Sequence, residues 1–332
     1  MKKLIITISF SLASVWLYAQ DTIQFTWKGS TNKGFRIGFT TNDPFIVYWG
    51  DGTYNTYSSR VLIEYDYADT IDYTVTIVAT TDSCRFWFFH CNPDCDNIYD
   101  PFNNQISNLD VSRSRALIGL ACNYSNLTSL NINGCTKLKM LDCSNNNLTS
   151  LDVSSCTELW RLFCNNNQLS NLDVNLNMEL NHFVSDNNCL PLSNLYIVYK
   201  LMIDGYGYGL SLGTQRLLSR EVVVGDTVDF STQAKFGNPD TLTVFVVEKD
   251  SMPAVIDVDY SINNGIITFK DIGTYTITMT NDAVKYGAEV IAEIKVIKKD
   301  VGINELSVVS GQLLVYPNPT NNQLRITRKY KY

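Results

Sequence analysis

The sequence predicts a mainly β protein, a short solenoid of 21-residue coils set between two smaller β units. Three observations carry that reading. Ile106, Leu127, Leu148, Leu169 and Leu190 recur every 21 positions. Asn146, Asn167 and Asn188 recur in the same register. On both sides of this stretch, short runs alternate apolar and polar residues between turn-forming residues, the pattern of half-buried strands.

In chain order, the opening MKKLIITISFSLASVWLYAQ has two lysines, an apolar run and the small Ala19. This is the layout of a secretory signal peptide over residues 1–19. A membrane anchor is the alternative, disfavoured because the apolar run is short and interrupted by serines and Thr7. Residues 20–83 follow as a β unit, with FIVYWGDGTYNTY and IDYTVTIVATT as alternating runs. Trp49-Gly50-Asp51-Gly52-Thr53 followed by the tyrosine-bearing YDYADTIDYTVTI resembles the PKD domain, which implies an Ig-like β-sandwich. Asp51-Gly52 reads as a tight turn rather than a calcium site, since one carboxylate does not hold the ion.

Residues 84–200 hold the repeats. Beneath the first apolar column run Leu109, Leu130, Leu151 and Leu172, then Leu117, Leu138, Leu159 and Leu180. Leu120, Leu141, Leu162 and Phe183 follow, then Cys122, Cys143 and Cys164. One coil cannot bury its apolar side alone, so stacked coils share a core and each position repeats. Asn146, Asn167 and Asn188 sit where the chain leaves the strand, placed to satisfy backbone groups that the bend would strand inside. Ser125 takes that place in the first full unit, and Asn104 falls on the register as part of an N-terminal capping half-repeat. The unit L-x-x-L-x-C-x-x-N-x-L, as in LKMLDCSNNNL and LWRLFCNNNQL, closely resembles the leucine-rich repeat family.

A glycine-tyrosine linker, DGYGYG, leads to residues 205–299, where strands alternate with turns at NNG and GNPD. NGIITFKDIGTYTITMTND predicts two strands joined at Asp271-Ile272-Gly273, with Tyr275 as a tyrosine-corner residue. This unit resembles bacterial Ig-like modules, implying a second β-sandwich. In residues 300–332, Tyr316-Pro317-Asn318-Pro319-Thr320 with Leu324 and Ile326 resembles the start of a C-terminal sorting domain of the type IX secretion system. Such domains usually run several tens of residues further. The expectation is therefore export from a Gram-negative cell to its surface or medium, with retention in the periplasm if the sorting domain is truncated.

The net charge of −7 and the lack of any basic stripe speak against nucleic acid as a partner. Cys122, Cys143 and Cys164, like Cys135 and Cys156, recur at repeat positions and read as small buried thiols rather than disulfides. Cys84, Cys91, Cys95 and Cys189 fall outside these ladders. One bridge among the first three, or a zinc site from His90, Cys91 and Cys95, is the competing reading there. With two histidines and no nucleophile motif, no catalytic residue, metal or cofactor is assigned.

Side chains between the inward strand residues project to the concave face. That face is predicted to carry Met140, Asp142, Trp160, Arg161, Phe163, His182 and Val184, with Asn123, Ser144, Asn165 and Asp186 at the strand ends. Exposed Trp, Phe and Arg together have the composition of a protein-binding hot spot. The predicted function is non-enzymatic recognition or adhesion through a protein partner. The alternatives are glycan or envelope attachment through the first β unit, where Tyr48, Tyr54 and Tyr57 are candidates, and a structural surface protein. The bland reading of the aromatic face is that the flanking units cover it.

Overall fold

The computed structural model describes residues 21–29, 34–58, 60–91, 105–204, 209–237 and 240–298, with the backbone of 313–317 and 324–328. The leader, Cys95, Asn104 and most of the tail lie outside these residues. The strands are β1 (Thr22–Trp27), β2 (Gly34–Thr41), β3 (Phe45–Tyr48), β4 (Tyr54–Tyr57), β5 (Val61–Asp66), β6 (Tyr73–Ala79) and β7 (Phe86–His90) in the first part. The coils contribute β8 (Ile106–Asp110), β9 (Gly119–Ala121), β10 (Ser129–Asn131), β11 (Met140–Asp142), β12 (Arg161–Phe163) and β13 (His182–Val184). Helix α1 (Leu192–Asp204) and β14 (Gly209–Ser211) follow.

The first unit and the coils share two sheets. One runs β10-β8-β1-β6-β3-β4 and the other β14-β13-β12-β11-β9-β7-β2-β5. The layers meet through aromatic side chains: Phe25 of β1 lies 6.3 Å from Phe89 of β7, and Phe39 of β2 lies 5.0 Å from Phe45 of β3. The predicted tight turn is present, with Gly50 and Gly52 at positive φ and the Asp51 carboxylate accepting from the Thr53 amide. Trp49 is buried there against Tyr65, and the Tyr67 hydroxyl donates to the Trp49 carbonyl at 2.7 Å.

A boundary at 83/84 divides sequence patterns but not the sheet. β7 pairs antiparallel with β2 and parallel with β9, so it is both the last strand of the first unit and the first rung of the coil stack. The sheet of the first unit thereby continues into the coil strands without a break. This corrects the placing of Cys91 outside the ladders: it is fully buried, its amide donates to the Ala121 carbonyl, and it follows His90, the register partner of Ala121.

In the stack, β7, β9, β11, β12, β13 and β14 pair parallel in unbroken register. Leu120, Leu141, Leu162 and Phe183 form the inner column, all buried, as are Leu127, Leu148, Leu169 and Leu190. The asparagines span coils. Asn146 Oδ1 accepts from the amides of Ser125 and Leu127, while its Nδ2 donates to the carbonyls of Cys122, Cys143 and Ser144. Asn167 repeats this with Leu148, Cys143 and Cys164, and Asn188 with Leu169, Cys164 and Ser185. Each amide therefore holds the bend of its own coil against the preceding one.

Two features go beyond the repeat pattern. The final coil contains α1, and its strand β14 still pairs with β13, which carries the coil sheet to Ser211 rather than ending it at residue 200. The next rung is a glutamine: Gln215 Oε1 accepts from the Leu190 amide, and Nε2 donates to the carbonyls of Ser185 and Leu212. Its longer side chain carries out the asparagine's task from a coil of different length.

Gln215 lies within β15 (Thr214–Arg216), the first strand of the last unit. There β16 (Arg220–Val223), β17 (Thr227–Asp229), β18 (Lys235–Phe236), β19 (Thr241–Leu242), β20 (Val244–Lys249), β21 (Met252–Pro253), β22 (Tyr260–Asn263), β23 (Ile266–Phe269), β24 (Gly273–Thr280) and β25 (Glu289–Ile297) follow. The main sheet runs β15-β25-β24-β20-β21, with β17-β23-β22 as a separate sheet. Phe269 and Tyr275 join the two, 4.7 Å between ring centroids. The buried Tyr275 donates to the Asp271 carbonyl at 3.0 Å and lies within bonding distance of that of Asp259, as a corner tyrosine does. β26 (Leu313–Pro317) and β27 (Leu324–Arg328) form a hairpin. No helix among the described residues is long and apolar enough to cross a membrane.

Candidate functional site: the outer face of the eight-stranded sheet

Because strand residues alternate in direction, the column Leu120-Leu141-Leu162-Phe183 leaves its flanking residues on the opposite, outer face. Register pairing aligns these as two rows. One is Phe88, Gly119, Met140, Arg161, His182 and Gly209; the other is His90, Ala121, Asp142, Phe163, Val184 and Ser211. Met140, Asp142, Arg161, Phe163, His182 and Val184 are brought together as predicted. All are half-buried, so the flanking units leave them partly open. Trp160 lies one place before β12, with Lys139 and Asn181 as its neighbours along the sheet.

Phe88, His90, Gly119 and Gly209 were not foreseen on this face. The signal was the run Phe86-Trp87-Phe88-Phe89-His90, which lies outside the 21-residue register and becomes part of the row only through the pairing of β7. The two glycines make room for neighbouring rings. A Cβ at Gly119 would fall 2.5 Å from the Phe88 ring, and one at Gly209 2.6 Å from the His182 ring. Both rings lean across the glycine of the next strand.

At the centre, the Arg161 guanidinium carbon lies 4.2 Å from the centroid of the Trp160 ring. His182 meets Trp160 edge-on at 5.8 Å, and its Nδ1 lies 2.6 Å from Asn181 Oδ1. The Asp142 carboxylate turns away, accepting from the Ser144 amide at 3.0 Å and the Ser144 hydroxyl at 2.6 Å. Burial raises its pKa above the ordinary aspartate value, partly offset by those two bonds. Burial also lowers the pKa of His90, with the Arg60 charge adding to the effect.

At the strand ends, Asn165 and Asp186 are half-exposed. Ser144 departs from its expected place and is buried. Its donation to Asp142 explains why. Arg161 Nε, His90 Nδ1 and Asn123 Oδ1 are buried atoms without a hydrogen-bond partner.

The structure does not bring His90 and Cys91, two of the three residues of the zinc reading, to one side. His90 ends β7 on the outer face and Cys91 follows it in the interior, so the two side chains point to opposite sides; Cys95, the third residue of that reading, lies outside the described residues. Cys84, Cys91 and Cys189 are free thiols, as are the ladder cysteines Cys122, Cys135, Cys143, Cys156 and Cys164. Their thiolate forms are disfavoured by burial, which pushes Cys135 up to about 12 and Cys156 up to about 11.

No protein-family model and no curated protein matches the chain. Among solved structures it shows a partial likeness to the functional domain of InlJ from Listeria monocytogenes, which includes a cysteine ladder. The two are 19% identical with a TM-score of 0.36, over 58% of this chain. The matched part spans less than half, 46%, of that chain.

Proposed function

We propose that the protein is a non-enzymatic recognition protein that binds a protein partner through the outer face of the coil strands. The coils are read as leucine-rich repeats, the two flanking units as Ig-like supports, and the site of action as extracytoplasmic. One observation carries the reading. On the inner side of β11, β12 and β13 stand only large apolar residues, Leu141, Leu162 and Phe183, whereas on the outer side no residue type recurs in register, and that side gathers Met140, Trp160, Arg161 and Phe163. Packing between coils explains the repeating side and makes no demand for Trp, Arg and Phe on the other. Such side chains dominate the energetics of protein interfaces. Photo-crosslinking from position 163 in the full chain, followed by identification of the captured protein, tests this. Phe163→Ala and Trp160→Ala should abolish capture with the melting transition retained. Capture unchanged in the double variant would remove the site from this face. A glycan-binding reading of the first unit is favoured by one feature, the exposed Tyr48 and Tyr54 rings paired at 5.8 Å. A glycan array with Tyr54→Ala as control tests it.

A further inference from the structure

We propose that this face recognises an acidic side chain, an Asp or Glu of an extended protein segment, through the Arg161 guanidinium. The inference rests on the recognition reading above and narrows it to one ligand chemistry. Arg161 Nε is shielded from water and has no partner. The terminal nitrogens of this half-buried side chain are not shielded in that way and make no hydrogen bond or ion pair among the described residues, and a guanidinium matches a carboxylate with two parallel bonds. The Trp160 ring holds the guanidinium by a cation–π contact, with the guanidinium carbon 4.2 Å from the ring centroid, which limits where the group can go before a ligand arrives.

The neighbouring cations are already matched. Lys137 and Lys139, in the preceding coil, share Glu158. No such carboxylate reaches Arg161 among the described residues. Asp142, the acid nearest in register, is committed to Ser144. A polypeptide rather than an acidic sugar is indicated by the surroundings. Met140, Phe163 and Val184 stand beside the arginine at strand spacing, suited to apolar side chains that flank an acid. The guanidinium also occupies one face of Trp160 against which a sugar ring would stack.

The test selects twelve-residue peptides from a random displayed library on the full-length protein, with polygalacturonate as the acidic-glycan probe. Selected peptides should share an Asp or Glu next to apolar residues. Changing that residue to Asn or Gln should weaken binding about ten-fold or more in the wild type. The same change should have little effect in Arg161→Gln, and Arg161→Lys should recover only part of the loss. Peptides that bind through Phe163 but carry no acid, or whose acid is equally important in Arg161→Gln, overturn the carboxylate assignment and leave the recognition face standing. Peptides indifferent to Phe163→Ala and Arg161→Gln alike, or no enrichment at all, overturn both. Binding of polygalacturonate that is lost in Arg161→Gln, without peptide selection, overturns the protein partner in favour of a glycan. Unchanged melting curves confirm that each variant is folded.

Discussion

The two sides of the same three-residue strands obey different rules. On the inner side, Leu120, Leu141 and Leu162 stack on one another while Asn146, Asn167 and Asn188 bond the coils together, with every ladder amide engaged. On the outer side, Gly119, Met140, Arg161 and His182 share a register position and no chemistry. Each inner residue meets the same demand from the coils before and after it, so a substitution disturbs two neighbours as well as its own coil. Outer residues meet solvent and carry no such constraint. Repetition therefore marks what holds the stack together, and departure from it marks where the chain is free to acquire a partner.

The comparison predicts that stability is lost chiefly through the inner side. Leu141→Ala should be the most damaging, about 2–5 kcal/mol in urea unfolding, because a buried side chain shared by adjacent coils leaves a cavity. Asn167→Ala should come close, about 3 kcal/mol, since it orphans the Leu148 amide and the carbonyls of Cys143 and Cys164 in the interior. If it costs no more than an exposed asparagine, the ladder is not a structural support. Gln215→Asn should cost about 1–2 kcal/mol by leaving the Leu190 amide beyond reach, which sharpens the assignment of Gln215 as the last rung.

The buried thiols make the inner side sensitive to alkali. Desolvation disfavours the thiolate and raises Cys156 from an ordinary 9.0 to about 11 in the fold. The unfolded chain thus loses protons first. The stabilisation is fully present below pH 9 and is lost as pH rises from 9 through 11. Cys156→Ala should flatten that part of the pH–stability curve, and its thiol should stay unreactive to alkylation at pH 8 in the native protein. Rapid labelling at that pH would show that the ladder is open.

On the outer side, Asp142→Asn should raise the unfolding midpoint at neutral pH, since burial already disfavours the charged carboxylate. The folded-state pKa lies above the unfolded one, so the wild type should lose stability as pH rises above about 4, and the variant should not. Smallest of all, Lys137→Ala removes only an exposed pair with Glu158 and should leave the midpoint unchanged.

Much of the inner side was legible in the chain. A period of 21 placed the leucine columns and the asparagines inward, Leu130 being half-buried, because stacking enforces identity at a fixed spacing. Other features carried no periodic signal. Asn145, Asn166 and Asn187 are an example. Sequence reasoning assigns them no role, yet they adopt positive φ, and Asn187 donates from its side-chain amide to the side-chain carbonyl of Asn166, and Asn166 to that of Asn145, along a second ladder. Asparagine tolerates that backbone region, which gives the Asn triplets a structural role at two successive positions. Helix α1 was missed because its apolar residues lie in a coil that breaks the 21-residue register.

The sequence by itself determined the repeat, the inward residues, the β character of both flanking units and the reduced state expected of the ladder thiols. All of these follow from local alternation or from identical demands at a fixed spacing. Only the tertiary structure decided that β7 joins the first unit to the coils, that Cys91 belongs to the ladder, that Gln215 closes it, and that Phe88 and His90 stand in the same rows as Arg161 and Phe163. These depend on pairing between segments of different length and period, and hydrogen bonding across such a junction leaves no periodic trace in the chain.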